Sequence, residues 1–152
     1  MHRYTIRVRY GDTDQMGFAY YAHYLRWFEI GRAEMLRWLG SSYRAVEERG
    51  TLLPVIEARC RYLKPARYDD LIVIETGVER LSRASVRFAY RVVREAGEEL
   101  LATGHTEHCF LGRDGRPGRP EPELAEMLKR APQAEGTADG RGRNAALGRF
   151  QA

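Results

Sequence analysis

At 152 residues, with 43% hydrophobic and 30% charged side chains, the sequence fits one globular domain with a core of its own. No apolar run approaches the ~18 residues a membrane span needs, and the opening Met-His-Arg-Tyr-Thr-Ile-Arg has no apolar signal core, so a soluble, cytoplasmic protein is expected. The net charge of +4 comes from arginine, because lysine occurs only at Lys64 and Lys129. It favours anionic partners, but no nucleic-acid motif accompanies it, and the phosphates of a small ligand account for it equally well.

Residues 3–10 alternate, with Tyr4, Ile6, Val8 and Tyr10 on one face and Arg3, Thr5, Arg7 and Arg9 on the other, which reads as a half-buried strand. The stretch from Tyr10 to Tyr24 is the most informative in the chain: it holds Asp12, Asp14 and Gly17, then an aromatic run that opens a helix. A turn needs only one Asp or Asn to bond its own backbone, so the second acid asks for a chemical role. From about Ala22 to Leu39 the period becomes three and four, with Tyr24, Phe28, Gly31, Met35 and Trp38 on one side; this is a helix of about five turns ended by Gly40. Gly31 in that stripe costs helix propensity by roughly 1 kcal/mol, which points to close approach of a neighbouring backbone.

After a short helical connector from Ser42 to Arg49, four strand-like runs cover about 52–64, 70–81, 84–95 and 99–112. Ile56, Ala58, Cys60 and Tyr62 alternate with Glu57, Arg59 and Arg61, while Val86, Phe88, Tyr90 and Val92 alternate with polar or small partners. The breaks at Pro65–Asp70, Ser82–Arg83 and Glu95–Glu98 are short enough for antiparallel neighbours. Prolines and acids at Pro120–Glu123 supply N-terminal helix chemistry for a short helix reaching Arg130. The expected architecture is α+β, an antiparallel curved sheet of about five strands wrapped around one long helix. That domain spans 1–131, and 132–152 reads as a flexible tail. Cys60 and Cys109 lack ligand spacing and read as buried free thiols, and no metal site is expected.

Three motifs occur in order: Tyr10-x-Asp-Thr-Asp14-x-x-Gly17, the helix run Tyr24-Leu-Arg-Trp-Phe-Glu29, and Pro65-Ala-x-Tyr-Asp-Asp70 leading into Leu71-Ile-Val-Ile-Glu-Thr76. Together, from about Arg3 to Leu128, they resemble the hotdog-fold thioesterases of the 4-hydroxybenzoyl-CoA thioesterase family, including the YbgC-type acyl-CoA thioesterases. The resemblance implies acyl-CoA hydrolysis by Asp14, as nucleophile or as general base for water, without a metal or bound cofactor. It also implies that the backbone N–H of Tyr21 holds the thioester oxygen, and that subunits pair as a homodimer or homotetramer.

Elementary chemistry agrees. An attacked thioester carbonyl becomes an oxyanion, and a helix start offers unpaired N–H donors together with the positive end of the dipole. Gly17 relieves the turn that folds Asp14 back. Thiolate leaves without a strong acid, so one carboxylate suffices. Asp12 reads as turn architecture, and Glu29 on the helix is the rival to Asp14. YbgC-type members often carry His at the position of Tyr21, whereas here the histidine is displaced to His23. Tyr20, Tyr21, Tyr24 and Trp27 are candidates to line the acyl pocket. Arg83 and Ser85 fall where relatives contact the nucleotide phosphates, with Arg59, Arg61 and Lys64 behind them. His105 and His108 lie on opposite faces of one strand and read as a satisfied pair. Two other functions stay open at this point: a thioester-binding module without catalysis, and a hotdog hydratase or dehydratase.

Overall fold

The computed structural model describes residues 1–134. Each strand and helix read from the periodicity forms: β1 (His2–Arg7), α1 (His23–Trp38), α2 (Tyr43–Glu48), β2 (Val55–Tyr62), β3 (Leu71–Leu81), β4 (Ser85–Arg94), β5 (Glu99–Cys109) and α3 (Pro122–Arg130). The strands make one five-stranded antiparallel sheet in the order β1-β3-β4-β5-β2, so β1 and β2 are its edges.

Alternation decides which face is which. Ile72, Ile74, Thr76 and Val78 of β3 and Val86, Phe88, Tyr90 and Val92 of β4 are buried, and the register sets Thr76 opposite Tyr90. α1 lies against β3, with β1, β2 and β4 beside it. Gly31 makes that contact possible, since a Cβ there would come 2.4 Å from Thr76 Oγ1 and 2.6 Å from Ile74 Cγ2. One turn earlier, Phe28 stacks on Tyr90 with ring centroids 4.4 Å apart. The close approach expected at Gly31 is present, but it is made by the side chains of Thr76 and Ile74 and not by a neighbouring backbone.

The opposite face of the sheet explains the arginines. Arg3 and Arg91 converge on Glu75 at 3.2 and 2.7 Å, and Arg80 and Arg87 converge on Glu107 at 2.6 and 2.5 Å. These cross-strand carboxylates pair four of the arginines locally, while the net charge of +4, which already counts every carboxylate, is left for anionic ligands. The Arg87 hydrogen bonds hold the Glu107 carboxyl below its usual range.

Four other expectations need correction. Tyr10 is not on the apolar face of β1: the strand ends at Arg7, and Tyr10 opens a single 3-10 turn with 80% of its surface exposed. β1 is an edge strand whose residues are exposed or half-buried rather than a regular half-buried ribbon. Trp38 also leaves the helix stripe, being 62% exposed with its ring 5.7 Å from that of His2. The buried face of α1 is instead Tyr24, Trp27, Phe28, Gly31, Met35 and Leu36. Cys60 and Cys109 are free, but half-buried rather than buried.

Residues 132–134 run beside β3, where Val78 N–H donates to the Pro132 carbonyl at 2.8 Å and Ala134 N–H to the Val78 carbonyl at 2.9 Å. The remainder of the 132–152 segment lies outside the described residues.

Candidate active site

Between β1 and α1 the chain folds into a small hairpin. Tyr20 N–H donates to the Asp12 carbonyl at 2.8 Å, Thr13 faces Ala19, and Asp14 N–H donates to the Phe18 carbonyl at 2.9 Å. The tip is the turn Asp14–Gly17, closed by Gly17 N–H on the Asp14 carbonyl at 3.0 Å. Gly17 sits at φ 77°, a left-handed conformation that an L side chain would strain.

The two acids make different local contacts. Asp12 Oδ2 accepts the Arg9 N–H at 2.8 Å and braces the 3-10 turn. Asp14 Oδ1 accepts the Met16 N–H at 2.8 Å, while Oδ2 has no partner among the described residues. The Asp14 carboxylate is half-exposed, oriented by its own turn, and keeps one oxygen open.

The hairpin is docked from behind. Ala19 N–H donates to the Ala66 carbonyl at 2.9 Å, and Ala66 N–H donates to the Tyr24 hydroxyl at 3.2 Å. Asp70 stiffens that second loop by accepting the Arg67 N–H at 2.8 Å and Arg94 Nε at 3.1 Å, and Arg94 also donates to the Pro65 carbonyl at 2.8 Å. The Pro65–Asp70 motif is therefore the platform on which the Asp14 hairpin rests.

At the start of α1 the N-cap is Ala22, which has no side-chain oxygen, and the first turn holds no acid. His23 and Tyr24 N–H groups bond back to the Tyr20 and Tyr21 carbonyls at 3.0 and 3.3 Å, whereas the Tyr21 and Ala22 N–H groups find no acceptor among the described residues. The positive end of the helix is left uncompensated beside the hairpin that carries Asp14. Tyr20 and Tyr21 stand exposed here with ring centroids 4.7 Å apart. The Tyr21 hydroxyl raises the Tyr20 phenol pKa, with a smaller contribution in the same direction from the Asp14 charge.

The other candidates are spread out. Tyr24 is buried with its hydroxyl taken by Ala66, and Trp27 is buried beside it at 4.5 Å, so both support the site from the core. Glu29 is exposed on α1 and makes no ion pair among the described residues. Arg83 is exposed in the β3–β4 turn, and the Ser85 hydroxyl donates to Glu107 at 3.2 Å. That turn is at the far end of β3 from Asp70, so the length of β3 puts it on the order of 30 Å from the Asp14 platform. One chain does not bring Arg83 and Asp14 together.

His105 Nε2 faces Glu57 at 2.6 Å on the outer face, while buried His108 bonds the Leu53 carbonyl at 3.0 Å and Thr106 Oγ1 at 2.9 Å. Among the described residues, no cluster of His, Cys, Asp and Glu could hold a metal ion, and no helix is long and apolar enough to cross a membrane. Tyr62, read from the sequence only as a strand residue, donates its hydroxyl to the Tyr21 carbonyl at 3.0 Å.

With this geometry in place, the family model described as the thioesterase-like superfamily matches residues 8–133. The chain belongs to the thioesterase-like superfamily. The putative acyl-CoA thioesterase YneP of Bacillus subtilis is 39% identical over 104 residues, covering 68% of this chain and 75% of that protein. The acyl-CoA thioesterase YbgC of Haemophilus influenzae is 36% identical over 111 residues, 72% of this chain and 82% of its own. The solved DHNA-CoA thioesterase of Staphylococcus aureus superposes with a TM-score of 0.79 at 32% identity, covering 84% of this chain and 88% of the other. Membership of this superfamily bears out the hotdog-type resemblance carried by the three motifs.

Proposed function

We propose that this chain hydrolyses the thioester of an acyl- or aroyl-CoA to the free acid and CoA. The observation that carries the reading is the half-exposed Asp14, with one carboxylate oxygen open, in the hairpin that leads directly into the unpaired Tyr21 N–H at the start of α1. Relatives named acyl-CoA thioesterase support it.

In this reading Asp14 attacks the carbonyl carbon itself or takes a proton from the water that does so. The carbonyl oxygen gains charge and is held by the Tyr21 N–H, where each such donor typically contributes about 100- to 1000-fold in rate. The tetrahedral species then collapses and expels the CoA thiolate, a good leaving group that needs no strong acid. Where Asp14 is the nucleophile, water then hydrolyses the acyl anhydride formed on it, which releases the acid and restores the carboxylate. Gly17 keeps the turn tight, Tyr20 borders the acyl group, and Tyr24 supports that border from the core. The residues themselves carry every step, without metal or bound cofactor.

The enzyme would be cytoplasmic, with residues 1–131 forming a hotdog domain whose sheet curls around α1. A homodimer or homotetramer fits it best. Among the described residues β2 pairs only with β5 and nothing pairs with its outer edge, where Val55, Ile56 and Tyr62 are exposed. Arg83 and Ser85 would serve the nucleotide phosphates only at a site shared between two protomers, given their separation from Asp14 along β3.

The deciding experiment mixes purified protein with a panel of short, long and aromatic acyl-CoAs and a thiol reagent. Release of free CoA from at least one class is expected. No release from any class would leave a thioester-binding module in its place.

A further inference from the structure

Tyr62, the last residue of β2, reaches 41 positions back along the chain to donate its hydroxyl to the Tyr21 carbonyl at 3.0 Å. That carbonyl belongs to the peptide unit whose other end is the Ala22 N–H, the second open donor at the start of α1. A hydrogen bond accepted at C=O polarises the peptide and strengthens its N–H as a donor. Among the described residues the other donor to this carbonyl is Tyr24 N–H, at a longer 3.3 Å, so Tyr62 makes the tighter of the two bonds.

The Tyr62 ring is not free to swing away. It stands edge-on to Tyr24 with centroids 5.0 Å apart and to Tyr21 at 6.5 Å. Tyr24 is itself fixed, buried against Trp27 and bonded to Ala66. Although Tyr62 is 42% exposed, partial desolvation with Cys60, Tyr24 and Tyr21 beside it holds its phenol above the usual range, and burial pushes the Cys60 thiol up to about 11, so both stay neutral near pH 7.

We infer that Tyr62 is a positioning residue: by anchoring the Tyr21–Ala22 peptide it makes the Ala22 N–H a second donor to the substrate's carbonyl oxygen, beside the Tyr21 N–H. This rests on the thioesterase reading above, and it makes the edge strand β2 part of the active site.

Tyr62→Phe tests it, because the ring and its packing against Tyr24 are kept while the donor is lost. Two measurements separate this inference from that reading. In a 15N-labelled sample the Ala22 amide nitrogen is expected to move upfield in the variant, with the amides at the end of α1 unmoved. In the hydrolysis assay kcat is expected to fall about tenfold at unchanged KM and nearly unchanged Tm. An unmoved Ala22 resonance overturns the anchoring whatever the activity. A moved resonance with wild-type kcat, or a change confined to KM, overturns the second-donor role. A wild-type protein that turns over no acyl-CoA sinks the thioesterase reading, while a moved Ala22 resonance would still support the anchoring.

Discussion

The Tyr20 N–H donates to the Asp12 carbonyl at 2.8 Å, and this bond closes the base of the hairpin that carries Asp14 at its tip. Asp14 lies two residues along one arm from that closure and Tyr21 one residue beyond the other, so the carboxylate and the open N–H share one rigid support. The Asp12 side chain braces the same corner through the Arg9 N–H. Asp12→Ala removes the brace and leaves the backbone bond. Urea unfolding is expected to show a loss of about 1 kcal/mol, with turnover falling far less than in an Asp14 variant. A collapse of activity with unchanged stability would give Asp12 a chemical role.

Gly31 sets how closely α1 approaches β3. In Gly31→Ala the new methyl would overlap Thr76 Oγ1 and Ile74 Cγ2, at 2.4 and 2.6 Å. Helix propensity favours Ala by about 1 kcal/mol, whereas overpacking costs on the order of 1–3 kcal/mol. The expected net result is a lower urea midpoint. A raised midpoint would mean that the helix can lift off the sheet at little cost.

The strands and helices were legible because their periods are clean, and Gly31 was legible because a glycine in an apolar helix stripe gives up helix propensity to no benefit unless a neighbour packs close. The hairpin was legible in part: Gly17 at positive φ and the capping role of Asp12 follow from local chemistry. What failed was local reasoning carried past an element's end. Tyr10 continues the alternation of β1, yet the chain has already turned into the 3-10 turn. Trp38 continues the helix stripe, yet Met35 and Leu36 form the buried face of the last turn of α1 and the Trp38 ring stays exposed beside His2 of the edge strand β1. The Tyr62 bond to Tyr21 was invisible because it depends on the sheet order that brings β2 to the helix start. The distance between Arg83 and Asp14 was hidden for the same reason, since sequence spacing does not say which end of a strand faces a loop.

Buried His108 gives a pH dependence to folding. The Leu53 carbonyl can only accept, so Nδ1 carries the proton and Nε2 accepts from Thr106, whose hydroxyl oxygen is 2.7 Å from that of Tyr90. Burial, with the Arg32 charge nearby, pushes His108 from 6.5 down to about 4. Between those values the unfolded chain binds a proton that the folded chain does not. The stability contributed is full above about pH 6.5 and is lost as the pH falls toward 4, at up to ~1.4 kcal/mol per pH unit. Urea midpoints taken across that window should fall with pH, and His108→Gln should flatten the slope. Equal slopes in both proteins would place the acid sensitivity elsewhere.

Arg83 is exposed in the β3–β4 turn. Arg83→Ala is expected to raise KM for acyl-CoA severalfold with little change in kcat, because a phosphate contact remote from the carbonyl binds ground and transition states alike. The same substitution should leave hydrolysis of a short pantetheine thioester unchanged, since that substrate lacks the nucleotide. Equal effects on both substrates would remove Arg83 from the phosphate role.

The most direct test of the chemistry is kcat for Asp14→Asn on the best acyl-CoA of the panel. The asparagine oxygen can still accept the Met16 N–H, so the turn and the Tm should be retained. The expected result is a loss of at least ~100-fold in kcat with KM nearly unchanged. Turnover close to wild type would contradict the assignment of Asp14 and move the reactive carboxylate to Glu29.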